Sequence, residues 1–274
     1  MSESRPLAAV WERCRATNRT ALIPYLTAGH PDRAASLAAL QAADEFSDII
    51  EVGVAFSDPL ADGPTIQRST FEALQQGMTL PRTLELIAEA RLRTPVVVFS
   101  YLNPVLRYGV DRFLRDAAAV GVAGLLLTDL PAGGDPEVEN AVASSPLDLI
   151  RLIAPTTTPA RMAAAVRGAS GFIYLVARLG VTGASADLAT GLTDSVARVR
   201  AATALPVAVG FGISTPAQAA TVAGIADGVV VGSALVEVLG KEGPAGVRRF
   251  LGGIRRALDE ASGVRHTAAT AEAR

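Results

Sequence analysis

The chain has 274 residues, half of them apolar, a formal net charge of −2 and one cysteine. That length suits one large α/β barrel with a sizeable core. No basic patch with interleaved aromatics points to nucleic acid, Cys14 alone forms no internal disulfide, and two histidines, His30 and His266, make a metal cluster or a Ser–His–Asp triad hard to assemble.

The first element expected is an amphipathic helix over residues 6–18, where Leu7, Val10, Trp11 and Cys14 recur at three- and four-residue steps. The first strand is ALIPYLTA, residues 21–28. His30 reads as a loop residue, and Asp32 caps the next helix. The second strand is DIIEVGV, followed by the loop AFSDPLADGP, a helix from about Thr65 through FEALQQG, and another over residues 81–92. The third strand is PVVVFSY, broken by Asn103-Pro104, with a helix over residues 110–120 that Asp111 caps.

GLLLTDL, residues 124–130, is the fourth strand, closed by Pro131. A Gly/Pro/Glu segment and a short helix lead to the fifth, DLIRLIA, residues 148–154. An alanine-rich helix follows Pro159, and GFIYLVA, residues 171–177, is the sixth strand. RLGVTGASADLATG then reads as a long loop, mobile without ligand, before a helix ending near Thr203. PVAVGFG (206–212) and GVVVGSA (228–234) are strands seven and eight, with a helix near Thr215 between them and helices at 235–239 and 245–261 after them. The tail from Gly263 reads as frayed.

Eight near-continuously apolar strands, each followed by helical pattern, predict a single (β/α)8 TIM barrel with an N-terminal capping helix, one domain over residues 1–274. The apolar runs are far shorter than the roughly 20 residues of a membrane span. The N-terminus lacks the apolar core of a secretory signal, so a cytoplasmic location is the default.

Chemistry in such a barrel collects at the C-terminal strand ends. Glu51 is a lone carboxylate inside an apolar strand, and burial would raise its pKa towards the range of a general acid or base. Asp62, in the loop beyond, should stay wetter and more acidic; two carboxylates in unlike surroundings divide acid and base roles. The bland alternatives are a solvent-facing edge position for Glu51 and turn-forming roles for Asp58 and Asp62-Gly63. Tyr25, Phe99, Tyr101, Asp129, Tyr174 and Phe211 fall near the same rim. Glycine-bearing turns at Thr182-Gly183, Gly210-Phe211-Gly212 and Gly232-Ser233 suit a phosphate, or serve only as tight turns. Together these features describe a slot for a flat apolar group with a phosphorylated side arm.

The segments PYLTAGHPD, IIEVGVAFSDPLADGPTIQRS, TDLP, LIAPTTTPAR, YLVARLGVTGA, PVAVGFGIS and ADGVVVGSALV occur in the order found in the tryptophan synthase alpha subunit, which the chain resembles from residue 20 to about 258. The resemblance implies aldol-type cleavage of indole-3-glycerol phosphate to indole and glyceraldehyde 3-phosphate in tryptophan biosynthesis. It implies no cofactor or metal in this chain, and a beta subunit that carries pyridoxal phosphate, assembled as an alpha2beta2 heterotetramer. It puts the general acid/base on Glu51, the indole N–H acceptor on Asp62 and the active-site tyrosine on Tyr174. The phosphate cradle falls on Gly183, Gly212, Gly232 and Ser233. The pocket wall falls on Tyr25, Phe99, Tyr101, Thr128, Ile153, Thr182 and Phe211. Ala55 stands where the family usually has proline, in the loop that meets the partner, so a stand-alone lyase supplying free indole is the alternative. A sugar-phosphate isomerase and a silent binding subunit are the rival classes.

Overall fold

The strands that the apolar runs announce pair in parallel, each with the next, and the last with the first. In the computed structural model, which describes residues 5–176, 185–210 and 212–263, they are β1 (Ala21–Thr27), β2 (Ile50–Gly53), β3 (Val96–Ser100), β4 (Val122–Leu127), β5 (Asp148–Ile153), β6 (Ile173–Val176), β7 (Val207–Gly210) and β8 (Gly228–Val231). They close a barrel in the order β1 to β8.

Side chains alternate across the barrel wall. Ile23, Val97, Leu126, Ile150, Tyr174, Ala208 and Val230 form an inner cluster, while Leu22, Val52, Val98, Leu125, Leu149, Leu175 and Val229 pack outward against helices. The inner cluster continues into Leu7, Val10, Trp11 and Cys14 of α1 (Pro6–Ala16), which plugs the end where the strands begin. Trp11 meets Phe172 there with ring centroids 5.5 Å apart.

The outer layer comprises α2 (Arg33–Asp44), α3 (Pro64–Gln75), α4 (Leu80–Ala90), α5 (Leu102–Tyr108), α6 (Val110–Ala119), α7 (Pro136–Ala143), α8 (Pro159–Arg167), α9 (Ser185–Ala202), α10 (Pro216–Ala223) and α11 (Ser233–Ala261). Asp32 caps α2 by accepting from Ala35 N, as its position implies. Asp48 ties the closed end together: it accepts from Leu22 N at 2.9 Å, Arg19 Nε at 3.2 Å and Arg255 Nη1 at 3.2 Å.

Four expectations need correction. β3 does end before Asn103-Pro104, at Ser100, but that pair is not a turn: it sits in the first turn of α5, where backbone N–H groups have no helical partner and proline costs little. Asp111 is not the cap of α6; Gly109 is, with φ 95°, and Asp111 lies in the first turn. The helix after β6 begins at Ser185, inside the expected loop; residues 178–184 of that loop, like the tail 264–274, lie outside the described residues. β4 ends at Leu127, so Asp129 stands beyond the strand, where it accepts from Leu102 N at 2.7 Å. The C-terminal segment α11 divides, as expected, into two helices, with the break at Gly243 (φ 64°) before Pro244.

Candidate active site

Barrel closure decides where Glu51 points. A closed barrel has no edge, so the alternative of a solvent-facing edge position does not hold. Glu51 stands in register with Tyr25 on β1 and with inward-facing Val97 on β3, and it is 0% exposed. Neither carboxylate oxygen has a hydrogen-bond partner among the described residues. Burial without a partner disfavours the charged form and pushes its pKa up to about 8. Burial therefore favours the neutral acid at pH 7, and no group among the described residues engages its proton.

Asp62 sits in the loop between β2 and α3. The turn that presents it closes through Leu60 N to Asp58 O at 2.9 Å and Asp62 N to Pro59 O at 3.1 Å. The Tyr101 hydroxyl, just past β3, donates to Asp62 Oδ2 at 3.1 Å and accepts from Ala61 N at 2.9 Å. Partial burial raises the Asp62 pKa to about 6 while the Tyr101 hydrogen bond opposes the rise. Asp62 is thus more acidic than Glu51, yet above the ordinary carboxylate range. Asp58 is exposed and serves the turn.

Aromatic rings line the space between the carboxylates. Tyr25 and Phe99 pack edge to face with centroids 5.2 Å apart, and Phe56 lies 5.1 Å from Tyr101. Burial pushes the Tyr25 and Tyr174 phenols up, and the charges of Glu51 and Asp62 push both further, so all four groups share one electrostatic environment. Thr128 donates its N–H to Ser100 O at 3.0 Å, and its hydroxyl lies beside the Tyr101 phenol.

Two glycines make this packing possible: Gly53, which sequence reasoning passed over, and Gly210, which it placed only in a phosphate-binding turn. A Cβ on Gly53 would overlap the Tyr25 hydroxyl, and one on Gly210 would overlap the Tyr174 hydroxyl. Each glycine lies at the C-terminal end of a strand and gives a phenol room to lie across the barrel mouth. A glycine inside a strand is the available signal for such close approach.

Ile153 does not join this set. It packs in the outer cluster in register with Leu175, and Leu152 is the β5 residue that turns inward. Thr182, Gly183 and Phe211 lie outside the described residues. Gly212 has φ 84°, the left-handed region that suits glycine.

The turns after β7 and β8 end differently. At α10, Thr215 and Gln218 form a capping box, and Gln218 also accepts from Ser214 N, so that helix start is satisfied by its own side chains. At α11, Gly232 is the cap, and among the described residues no side chain makes a capping hydrogen bond there. A Cβ at Gly232 would lie 3.7 Å from Tyr25 Cβ, which brings this helix start beside the aromatic slot. Uncapped N–H groups and the helix dipole together favour an anion. Among the described residues no three His, Cys, Asp or Glu side chains cluster as metal ligands, and no helix is long and apolar enough to cross a membrane.

The family profile described as tryptophan synthase alpha chain matches residues 11–251. The chain belongs to the tryptophan synthase alpha chain family. It is 48% identical over 239 residues to the tryptophan synthase alpha chain of Chloroflexus aurantiacus, covering 85% of this chain and 89% of that one. It is 44% identical over 260 residues to that of Geobacter sulfurreducens, covering 94% and 98%. Among solved structures, tryptophan synthase of M. tuberculosis in its aminoacrylate-bound form superposes with TM-score 0.85 at 43% identity, covering 93% of this chain and 100% of that chain. Tryptophan synthase subunit alpha of Legionella pneumophila gives 0.86 at 32% identity, covering 94% and 100%. The family is that of the lyase subunit, which gives this chain its role in tryptophan biosynthesis.

Proposed function

We propose that this barrel cleaves indole-3-glycerol phosphate at the bond between indole C3 and the side arm, with Glu51 as general acid and base and Asp62 as the anchor of the indole N–H. One observation carries the assignment: Glu51 is fully buried with no hydrogen-bond partner among the described residues, which favours its neutral form, while Asp62 at the same barrel mouth is wetter and more acidic. Glu51 gives its proton to indole C3. The ring becomes an indoleninium cation, whose positive charge at nitrogen the Asp62 carboxylate stabilises. The Glu51 carboxylate then takes the proton of the hydroxyl on the adjacent side-arm carbon. That oxygen forms the aldehyde, the C–C bond breaks, and its electron pair restores the aromatic ring. Glu51 ends protonated, as it began.

The rest of the rim fits the same substrate. Tyr25, Phe99 and Tyr101 form the slot for the flat ring, and Tyr174 closes its floor. The N–H groups at Gly232-Ser233 receive the phosphate, with Gly212 in the neighbouring turn and Gly183 and Thr182 in the loop after β6. The reaction as written needs no cofactor from this chain. The partner is a beta subunit that carries pyridoxal phosphate and consumes the indole, in an alpha2beta2 assembly in the cytoplasm. Leu60, 91% exposed in the Asp62 loop, and Leu106, 47% exposed on α5, are large apolar side chains that such a partner would cover.

The test is release of indole and glyceraldehyde 3-phosphate from indole-3-glycerol phosphate by the purified chain, with and without a beta subunit. Equimolar products, formed faster with the partner present, are expected. A chain that binds the substrate but releases neither product, alone or with a partner, would refute the assignment.

A further inference from the structure

The helix that follows the Asp62 loop turns a polar face to the barrel. Thr65, Ser69 and Glu72 of α3 are spaced by four and three residues, so they share one side of the helix. Each meets a different element. Thr65 Oγ1 donates to Glu237 Oε1 of α11 at 3.0 Å, Ser69 and Thr27 place their hydroxyls 2.7 Å apart, and Glu72 Oε2 lies 2.9 Å from His30 Nδ1.

The first contact joins the two working ends of the site. Thr65 follows Asp62 by one turn's length of chain, and Glu237 lies in the opening turns of the helix that starts at Ser233. Their neighbours Ile66 and Val236 pack together with Tyr25. Glu237 also receives Lys241 Nζ on Oε2 at 3.2 Å. The Thr65 and Lys241 hydrogen bonds hold its carboxyl below its ordinary range, so it is an anion. A carboxylate so near an anion-binding helix start opposes phosphate binding. Its presence there calls for a different role.

We propose that Glu237 is a positioning residue that holds the start of α3, through the Thr65 hydroxyl, against the phosphate end of α11, and so sets Asp62 relative to the bound phosphate. This rests on the reading of the site given above. Removing the charge and removing the hydrogen bond then have different consequences. Loss of the charge tightens phosphate binding; loss of the hydrogen bond lets the Asp62 loop drift and slows the chemical step.

Four variants of the full chain separate these effects: Thr65→Val, Glu237→Ala, Glu237→Gln and the double variant Thr65→Val/Glu237→Ala. The readouts are kcat and KM for indole-3-glycerol phosphate and the affinity for inorganic phosphate. Thr65→Val and Glu237→Ala should each lower kcat about 5- to 30-fold, around the lower end for a hydrogen bond to a charged group because the Glu237 side chain is partly exposed. The double variant should fall no further than either single one. Glu237→Gln keeps an acceptor for Thr65 and should retain kcat within about threefold. Both Glu237 variants should bind inorganic phosphate about two- to threefold tighter. An active wild-type chain whose Thr65→Val and Glu237→Ala variants keep full kcat, or whose losses multiply in the double variant, would overturn the proposal alone. A wild-type chain that binds no phosphate and releases no indole would overturn the site reading, and the proposal with it.

Discussion

Tyr101 holds the Asp62 carboxylate through a 3.1 Å hydrogen bond while its own oxygen takes the Ala61 N–H at 2.9 Å. The tyrosine therefore fixes both the side chain and the backbone of the loop that carries the anion.

This arrangement has a pH signature. The Tyr101 hydrogen bond favours ionised Asp62 and opposes the upward push of burial, leaving a pKa of about 6. Activity that needs the anion falls as pH drops through about 6. Tyr101→Phe removes the opposing interaction, so the acid limb of kcat/KM should move to higher pH. An acid limb unmoved in that variant would show that Asp62 ionisation does not set it.

Glu51 makes a prediction about stability. Burial raises its pKa from 4.5 to about 8 in the folded chain, whereas the unfolded chain releases that proton near the ordinary value. Between these values the folded state binds a proton that the unfolded state has lost. Stability is therefore undiminished below the unfolded pKa and declines as pH rises through the folded one. Glu51→Gln cannot ionise, so it should gain stability over the wild type as pH rises from 5 to 8, by a few kcal/mol in order of magnitude. Urea titrations at pH 5 and pH 8 measure this; a Glu51→Gln difference that is the same at both would count against a buried neutral acid.

The glycines at the strand ends should be intolerant of a single methyl group. Gly53→Ala and Gly210→Ala place a Cβ on the Tyr25 and Tyr174 hydroxyls and should each cost about 1–3 kcal/mol, the scale of overpacking. Combining Gly210→Ala with Tyr174→Ala should cost less than the sum of the two. Strict additivity in denaturation experiments would mean the phenol is not what the methyl meets.

Much of this architecture is legible in the sequence because buried parallel strands read as continuous apolar runs, and Glu51 stands out as a lone charge within one. The same continuity hides which residues face inward. β5 reads DLIRLI, apolar on both faces apart from its charged residues, so nothing in it distinguishes Leu152, which faces the lumen, from Ile153, which does not. The clearance at Gly53 and Gly210 depends on the register of neighbouring strands far apart in sequence, which no local pattern carries. Pro104 reads as a breaker from its own chemistry, and only its place in the first turn of α5 makes it a helix former. The capping box at α10, by contrast, is written locally in Thr215 and Gln218.

The most direct test of the account is the rate of indole release from indole-3-glycerol phosphate by Glu51→Gln beside the wild-type chain, with thermal melting of both to confirm folding. The expected result is a folded variant whose turnover is lower by at least about 100-fold, the scale of a lost general acid. Turnover within a few-fold of the wild type would contradict it, and would move the proton transfers to another group.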